Sequence, residues 1–319
     1  MKIKKLGNSG LEVSNLCLGG NVFGWTIDEK ESFKVLDAFF EAGGTFIDTA
    51  DVYSRWVPGN HGGESETIIG KWMKDRGNRK DIVIATKLGM EMGPHKKGLK
   101  KDYMLSAVEA SLTRLQTDRI DLYISHRDDE ETPLEETLEM YKHLIIHGKI
   151  RVAGASNYSA KRLRHALEVS HKNAFPAYQS LQPHYNLYDR KDFEKDLQAV
   201  CEENNLGVTP YFALASGFLT GKYRSEKDFA KSPRGSGAQK YMDERGMKIL
   251  AAMDRVAKEH RTTPTAVALA WLMAKPYITS PIASATSPEQ LKDLVSGSSL
   301  NLDAPSIELL NTASDPGMY

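Results

Sequence analysis

Asp48, Tyr53, Lys87 and His126 are the side chains in this sequence whose types and positions can do chemistry together. Three of them end short apolar runs: Phe46-Ile47-Asp48, Ile84-Ala85-Thr86-Lys87 and Tyr123-Ile124-Ser125-His126. Tyr53 follows shortly after the first run. A free phenol titrates at about pH 10 and is a poor proton donor near neutrality. An ammonium beside it favours phenolate and is expected to pull that value down, toward the range where general acid catalysis works. A carboxylate next to the ammonium keeps it charged and positioned, and an imidazole can hydrogen-bond the reacting oxygen. Such a set protonates an alkoxide as it forms from a carbonyl, which is carbonyl reduction and requires a hydride donor nearby. Singly, each residue has a plainer explanation: Asp48 as a helix cap, Tyr53 as a loop aromatic, Lys87 as a solvated charge, His126 as a core histidine. The catalytic reading rests on their joint placement.

That placement requires the runs to be neighbouring strands. Eight compact apolar or β-branched runs read as buried parallel strands: Asn15–Leu18, Thr45–Asp48, Ile82–Lys87, Ile120–His126, Ile150–Ser156, Tyr178–Gln182, Gly207–Tyr211 and Thr279–Ala283. Amphipathic patterns between them predict helices over Lys30–Ala42, Glu64–Lys74, Lys101–Leu115, Leu134–His147, Ala160–His171, Asp192–Asn204, Met247–Glu259, Pro264–Met273 and Pro288–Val295. Such alternation implies a parallel sheet with right-handed crossovers, and the count matches a (β/α)8 TIM barrel. A doubly wound sheet alternates too, but no strand here is followed by G-x-G-x-x-G; Gly19-Gly20-Asn21-Val22-Phe23-Gly24 lacks the middle glycine. Lys2–Leu6 and Leu11–Val13, around Asn8-Ser9-Gly10, predict an N-terminal β-hairpin capping the barrel bottom. Residues 1–319 thus read as a single α/β barrel domain with extra helices. The long, basic, turn-rich segment Phe212–Arg245 reads as an inserted loop and, at that length, as a ligand lid. Active sites of barrels lie at the C-terminal ends of the strands, where the four residues fall.

Composition excludes several other classes. The 42 basic and 42 acidic side chains cancel, so no chain-wide field exists to hold a nucleic acid or an anionic membrane. Two cysteines, Cys17 and Cys201, make neither a disulfide framework nor a metal quartet, and read as buried small hydrophobes. A metal-dependent hydrolase would need pairings such as H-x-H or H-E-x-x-H, which are missing. The acidic run Asp128-Asp129-Glu130-Glu131 precedes a helix, where carboxylates favour the dipole, and no metal site is expected. The first residues lack the apolar stretch of a signal peptide, and no run approaches the ~18 apolar residues of a membrane span. A cytoplasmic protein is expected, with neither nucleic acid nor membrane as partner.

These motifs, in this order, give the chain a close resemblance to the aldo-keto reductases over nearly its whole length. The carriers are Phe46-Ile47-Asp48-Thr49-Ala50-Asp51-Val52-Tyr53, Gly63-Glu64-Ser65-Glu66, Ile69-Gly70, Ala85-Thr86-Lys87, Asp121-Leu122-Tyr123-Ile124-Ser125-His126 and Thr132-Pro133-Leu134-Glu135-Glu136. The resemblance implies a catalytic tetrad of Asp48, Tyr53, Lys87 and His126, with Tyr53 the proton donor. It also implies a nicotinamide cofactor bound extended, without a Rossmann fold. Ser156 and Asn157 match the pair that holds the carboxamide, Gln182 the glutamine that joins them, and Tyr211 the aromatic that stacks on the nicotinamide. The run from Ala213 to Lys222 resembles the pyrophosphate loop, which puts Ala213, Leu214, Ser216, Gly217 and Lys222 at the cofactor; Phe212 departs from the serine more common before it. Ser284, Thr286 and Gln290 open the last predicted helix, a ready anion site, where the adenosine phosphate is expected. Relatives often carry arginine where Thr286 or Gln290 stands, and asparagine where Leu294 stands. Arg234 or Lys222 is expected to supply the missing charge from a folded lid.

The implied activity is NADPH-dependent reduction of aldehydes and ketones, possible in both directions, with NADH the alternative cofactor. Trp25 and Trp56 are expected to wall a pocket for small carbonyl compounds, aromatic ones included. The polar tail Ser314–Tyr319 is expected to be too short to close over it. The competing reading is a non-catalytic NADP(H)-binding regulatory subunit or redox sensor, similar to the channel-associated members of the family. Neither the physiological substrate nor the oligomeric state is legible in the sequence.

Overall fold

The computed structural model describes residues 1–317. Strands β1 (Ile3–Lys5) and β2 (Glu12–Ser14) form the expected antiparallel hairpin. The remaining eight strands are β3 (Cys17–Gly19), β4 (Phe46–Asp48), β5 (Val83–Leu88), β6 (Ile120–Ser125), β7 (Ile150–Ser156), β8 (Ser180–Gln182), β9 (Gly207–Val208) and β10 (Ile282–Ala283). They are parallel and ordered β10-β3-β4-β5-β6-β7-β8-β9. The two ends meet where the Thr279 amide donates to Val208 O (2.9 Å) and the Ile282 amide to Pro210 O (2.9 Å). The architecture is therefore the (β/α)8 fold. β9 and β10 are shorter than their predicted runs because Pro210 and Pro281 carry no amide proton for a ladder.

The helices are α1 (Glu29–Glu41), α2 (Glu64–Arg76), α3 (Lys101–Leu115), α4 (Leu134–Ile146), α5 (Ala160–Asn173), α6 (Gln198–Glu203), α7 (Glu244–Glu259), α8 (Pro264–Met273), α9 (Pro288–Ser299) and α10 (Ala304–Ala313). Several start where the sequence offers a cap: the side chains of Asp28, Ser159, Thr263 and Ser287 accept amide bonds from α1, α5, α8 and α9. α10 was not expected from the apolar pattern. It buries only Ser306 and Leu310, too few positions to mark a helical period, although Asp303 caps it in the same way. The predicted helix Asp192–Asn204 opens instead with a π-helical turn, Phe193–Leu197, before α6.

Two apolar cores separate at the sheet. Inside the barrel, Leu6, Leu11 and Val13 of the hairpin pack on Cys17, Phe46, Leu122, Ile124 and Val152, which closes the bottom and leaves the C-terminal mouth to polar groups. Cys17 and Cys201 are both buried thiols. Phe212–Arg245 is not an open loop: it folds into short 3-10 turns within Ala215–Thr220, which is kinked at the left-handed Ser216 and Gly217, and over Glu226–Lys231 and Gly235–Tyr241, pinned by the buried side chains of Phe218, Tyr223 and Tyr241. No helix among the described residues is long and apolar enough to cross a membrane. Met318 and Tyr319, the end of the tail Ser314–Tyr319, lie outside the described residues.

α2 braces the mouth of the barrel. The Ser65 hydroxyl donates to Gly20 O (2.7 Å) after β3 and accepts from Thr49 Oγ1 (2.8 Å) after β4. This depends on close approach of α2 to α3. A methyl group on Gly70 would collide with the Arg114 carbonyl oxygen and stand 2.6 Å from the Leu115 carbonyl carbon. Gly70→Ala is expected to cost about 1–3 kcal/mol through this overpacking, read as a lower midpoint in urea denaturation.

Candidate active site

Register brings the reactive groups together. Asp48 ends β4 opposite Ala85, two residues before Lys87 on β5. The Lys87 ammonium is entirely buried and lies 2.7 Å from Asp48 Oδ2, 2.8 Å from Thr49 O and 2.7 Å from Tyr53 Oη, so its three protons each have an acceptor. Tyr53 returns to the strand ends through a turn in which its amide donates to Ala50 O (3.2 Å), and the Ser54 hydroxyl ties the turn to Phe23 O (2.8 Å). The Tyr53 hydroxyl also donates to Asp48 Oδ2 (3.3 Å). His126 follows β6, its amide bound to Leu88 O (2.8 Å), and its ring stands edge-on to Tyr53 with centroids 6.0 Å apart. The four residues form one cluster.

The electrostatics correct one expectation. Burial, followed by the negative charge of Asp48, pushes the Tyr53 phenol well above its ordinary pKa, opposite to the lowering expected from Lys87. Tyr53 is thus a neutral phenol that holds its proton through the physiological range. Burial lowers the Lys87 ammonium, with Asp48 pulling the other way. Burial and the positive charges of Lys87 and Arg127 hold His126 well below its ordinary value, as a neutral imidazole. A neutral phenol bound to a buried ammonium gives up its proton when a neighbouring oxygen gains negative charge, and the ammonium then stabilises the phenolate.

This cluster forms part of the wall of a cavity of about 810 Å³. Every residue expected at the cofactor lines it: Ser156, Asn157, Gln182, Tyr211, Ala213, Leu214, Ser216, Gly217, Lys222, Arg234, Ser284, Thr286 and Gln290. Six of the polar ones are tied to one another or to the tetrad. Asn157 Nδ2 donates to His126 O (2.8 Å) and accepts at Oδ1 from the Tyr211 hydroxyl (2.8 Å). Ser156 Oγ donates to Gln182 O (2.8 Å), and Gln182 Nε2 donates to Asp48 Oδ1 (2.9 Å), which links the tetrad to the opposite side of the barrel. Gln290 Oε1 accepts from the amide and hydroxyl of Thr286, both 3.0 Å. Trp56 lines the cavity and is 49% exposed, but Trp25 does not line it. Trp25 stands edge-on behind Trp56, centroids 5.3 Å apart, because the indole of Trp56 takes the place nearer Tyr53. Asn21, Met90, Lys231 and Asp293 also line the cavity without having been expected there. The signal for Asn21 and Met90 was position, since each closely follows a barrel strand.

Two features suit an extended, phosphate-bearing ligand. Ala215, Ser216 and Gly217 are three consecutive residues with positive φ (47°, 56° and 90°), a strained backbone for the first two. Arg234 has no carboxylate partner among the described residues; its guanidinium lies over the Trp25 ring at 6.0 Å, and burial lowers its pKa. An unpaired desolvated cation at a cavity wall is stabilised by an anionic ligand.

The sequence pattern described as the aldo/keto reductase family matches residues 15–315. The chain belongs to that family. It is 34% identical over 320 residues to the oxidoreductase YrpG of Bacillus subtilis, covering 98% of this chain and 95% of the relative. A probable voltage-gated potassium channel subunit beta of Oryza sativa subsp. japonica is 33% identical over 299 residues, 91% of this chain and 89% of the relative. The aldo-keto reductase yakc [NADP(+)] of Schizosaccharomyces pombe is 30% identical over 322 residues, 98% and 91% respectively. This aldo/keto reductase is an NAD(P)H-dependent oxidoreductase.

One buried acid of the aldo/keto reductase stands apart from the tetrad. Neither carboxyl oxygen of Asp51 has a hydrogen-bond partner among the described residues, and burial, then the Glu66 carboxylate, raises its pKa well above the ordinary value. An unfolded chain releases this proton near pH 3.9, whereas the folded chain keeps it. Ionisation of Asp51 therefore adds no cost below that pH, and its cost grows as pH rises toward the folded pKa. Asp51→Asn is expected to raise Tm at pH 7 by at least about 2 °C, a gain that vanishes in thermal melts below about pH 4.

Proposed function

We propose that this aldo/keto reductase reduces aldehydes and ketones to alcohols with NADPH, and that Tyr53 supplies the proton. The observation that carries the reading is the position of the buried Lys87 ammonium, 2.7 Å from both Asp48 Oδ2 and Tyr53 Oη. NADPH, when bound, supplies the hydride from nicotinamide C4. Tyr53 donates its proton to the carbonyl oxygen, Lys87 takes up the phenolate charge, and Asp48 keeps Lys87 charged. His126, neutral, holds the substrate oxygen by a hydrogen bond. Trp56 forms the apolar wall for the rest of a small carbonyl compound, and Trp25 supports it from behind.

The same reading assigns the cofactor-facing residues. Ser156, Asn157 and Gln182 hold the carboxamide, and Tyr211 backs the nicotinamide ring, whose fixed orientation governs reaction geometry. Ala213, Leu214, Ser216, Gly217 and Lys222 take the pyrophosphate, and Ser284, Thr286 and Gln290 the adenosine phosphate. The free guanidinium of Arg234, together with the NADP(+) in the name of the fission-yeast relative, supports NADPH over NADH. The channel-subunit relative supports a second reading, a cofactor-binding regulatory protein.

NADPH oxidation with an activated aromatic aldehyde, followed by absorbance, separates these readings. Tyr53→Phe is expected to lower kcat by about 10²–10⁴-fold, with NADPH affinity nearly unchanged. Retention of most activity in that variant would overturn Tyr53 as donor. Tight NADPH binding without turnover across several carbonyl classes would favour the regulatory reading. Arg234→Met is expected to weaken NADPH binding on the order of tenfold, as loss of a charged hydrogen bond does; an unchanged Kd by fluorescence titration would remove Arg234 from the cofactor site.

A further inference from the structure

His184 and Asp189 belong neither to the tetrad nor to the cavity wall, yet they back onto a residue that does. Tyr211 continues the line of β9 and pairs with the segment after β8: its amide donates to Pro183 O (2.9 Å), and His184 and Tyr211 form a parallel bridge. The His184 imidazole stacks on the Tyr211 ring, centroids 5.2 Å apart and planes 15° apart, with Phe212 edge-on to both. Tyr211 lines the cavity and His184 does not, so the imidazole lies behind the phenol ring as seen from the cavity.

A carboxylate is held against the imidazole. His184 Nε2 is 2.9 Å from Asp189 Oδ2, which also accepts from Asn186 Nδ2 and the Tyr241 hydroxyl, both at 2.8 Å. Burial acts to raise the Asp189 carboxyl, but the His184, Asn186 and Tyr241 contacts outweigh it and hold the group below its ordinary pKa, as a carboxylate. The titratable groups facing His184 are thus Asp189 on its own segment, Tyr211 three residues beyond β9 and, through Asp189, Tyr241. Arg245 is engaged elsewhere, over the Tyr188 ring at 4.6 Å and on Ser314 O at 2.8 Å. Asp189 supplies the anionic partner that a protonated imidazole requires.

We propose that His184 is a positioning residue that sets, through Tyr211, the relative affinity of the site for oxidised and reduced nicotinamide, and that protonation of its imidazole switches this preference. The proposal rests on the assignment of Tyr211 as the surface behind the nicotinamide. An oxidised nicotinamide ring is cationic and a reduced one is not. The face of an aromatic ring attracts a cation. A second cation on the far side of that ring repels the first, whereas a neutral imidazole does not. Protonated His184 therefore weakens NADP+ relative to NADPH and speeds departure of the oxidised cofactor. Imidazole is the side chain whose ordinary charge change falls between about pH 5 and 8, which sets the pH values of the test.

Fluorescence titration of NADP+ and NADPH at pH 6 and pH 8 tests this without turnover. Both forms carry the same 2′-phosphate, so its titration cancels in the ratio of their Kd values. In the wild type, Kd(NADP+)/Kd(NADPH) is expected to rise on the order of tenfold from pH 8 to pH 6, the effect of one charge a ring away in a medium of effective dielectric ~20. In His184→Gln the ratio is expected to be independent of pH. In Asp189→Asn the transition is expected to move to lower pH. A purely structural role for His184 would weaken both forms alike and leave the ratio untouched. A flat wild-type ratio, or a His184→Gln protein that keeps the pH dependence, overturns the proposal. Tyr211→Leu distinguishes the failures: unchanged Kd values for both forms remove the surface itself, while weaker binding of both with a flat wild-type ratio removes only the role of His184.

Discussion

The buried ion pair between Lys87 and Asp48 is the constraint on which the rest of the structure depends. An ammonium removed from water costs several kcal/mol unless charge and hydrogen bonds replace its hydration. Here the replacement is complete: Asp48 Oδ2, Thr49 O and Tyr53 Oη surround Lys87 Nζ at 2.7–2.8 Å. All three acceptors come from the end of β4 and the turn that follows it. The pairing of β4 with β5 is therefore as much a part of the site as the side chains, and Ser65 on α2 fastens the turn from outside. The second Asp48 oxygen accepts from Gln182 at the end of β8, so a polar tie crosses the mouth of the barrel. The Tyr53 hydroxyl is placed by this lattice.

Much of this was legible in the sequence, because barrel order and reactive residue types are local signals. Asp48, Lys87 and His126 close apolar runs, and runs adjacent in sequence became adjacent strands. The failures have physical causes. Pro210 and Pro281 cut two strands short, a ladder effect that apolar runs do not reveal. α10 escaped because it buries so few side chains. The direction of the Tyr53 shift was misjudged because pairing with Lys87 was weighed without burial, which here comes first. Trp25 lies behind Trp56, a choice between two indoles made by packing alone. The stack of His184 on Tyr211 joins two segments that only the barrel brings together.

The zero net charge of the chain conceals a local imbalance. Lys222, Lys231 and Arg234 all come from the segment between β9 and α7 and all line the cavity. Lys231 is paired with Asp228 at 2.6 Å, whereas Arg234 rests on an aromatic face. Its three 3-10 turns carry these cations from the end of β9 back to Trp25, which follows β3. The basic inserted segment, read from the sequence as a lid, is therefore part of the cavity wall. Folding it there leaves Ala215 and Ser216 with left-handed backbone, a conformation that persists only where surrounding structure over-determines it.

The most direct test of the account follows the hydrogen. A single turnover with NADPH deuterated at both C4 positions, an activated aromatic aldehyde and the wild-type protein is analysed by mass spectrometry of the alcohol formed. Deuterium is expected on the carbinol carbon, with a hydroxyl proton that exchanges with solvent. Alcohol formed without deuterium at carbon, or stable NADPH binding with no alcohol from any carbonyl class, would contradict it.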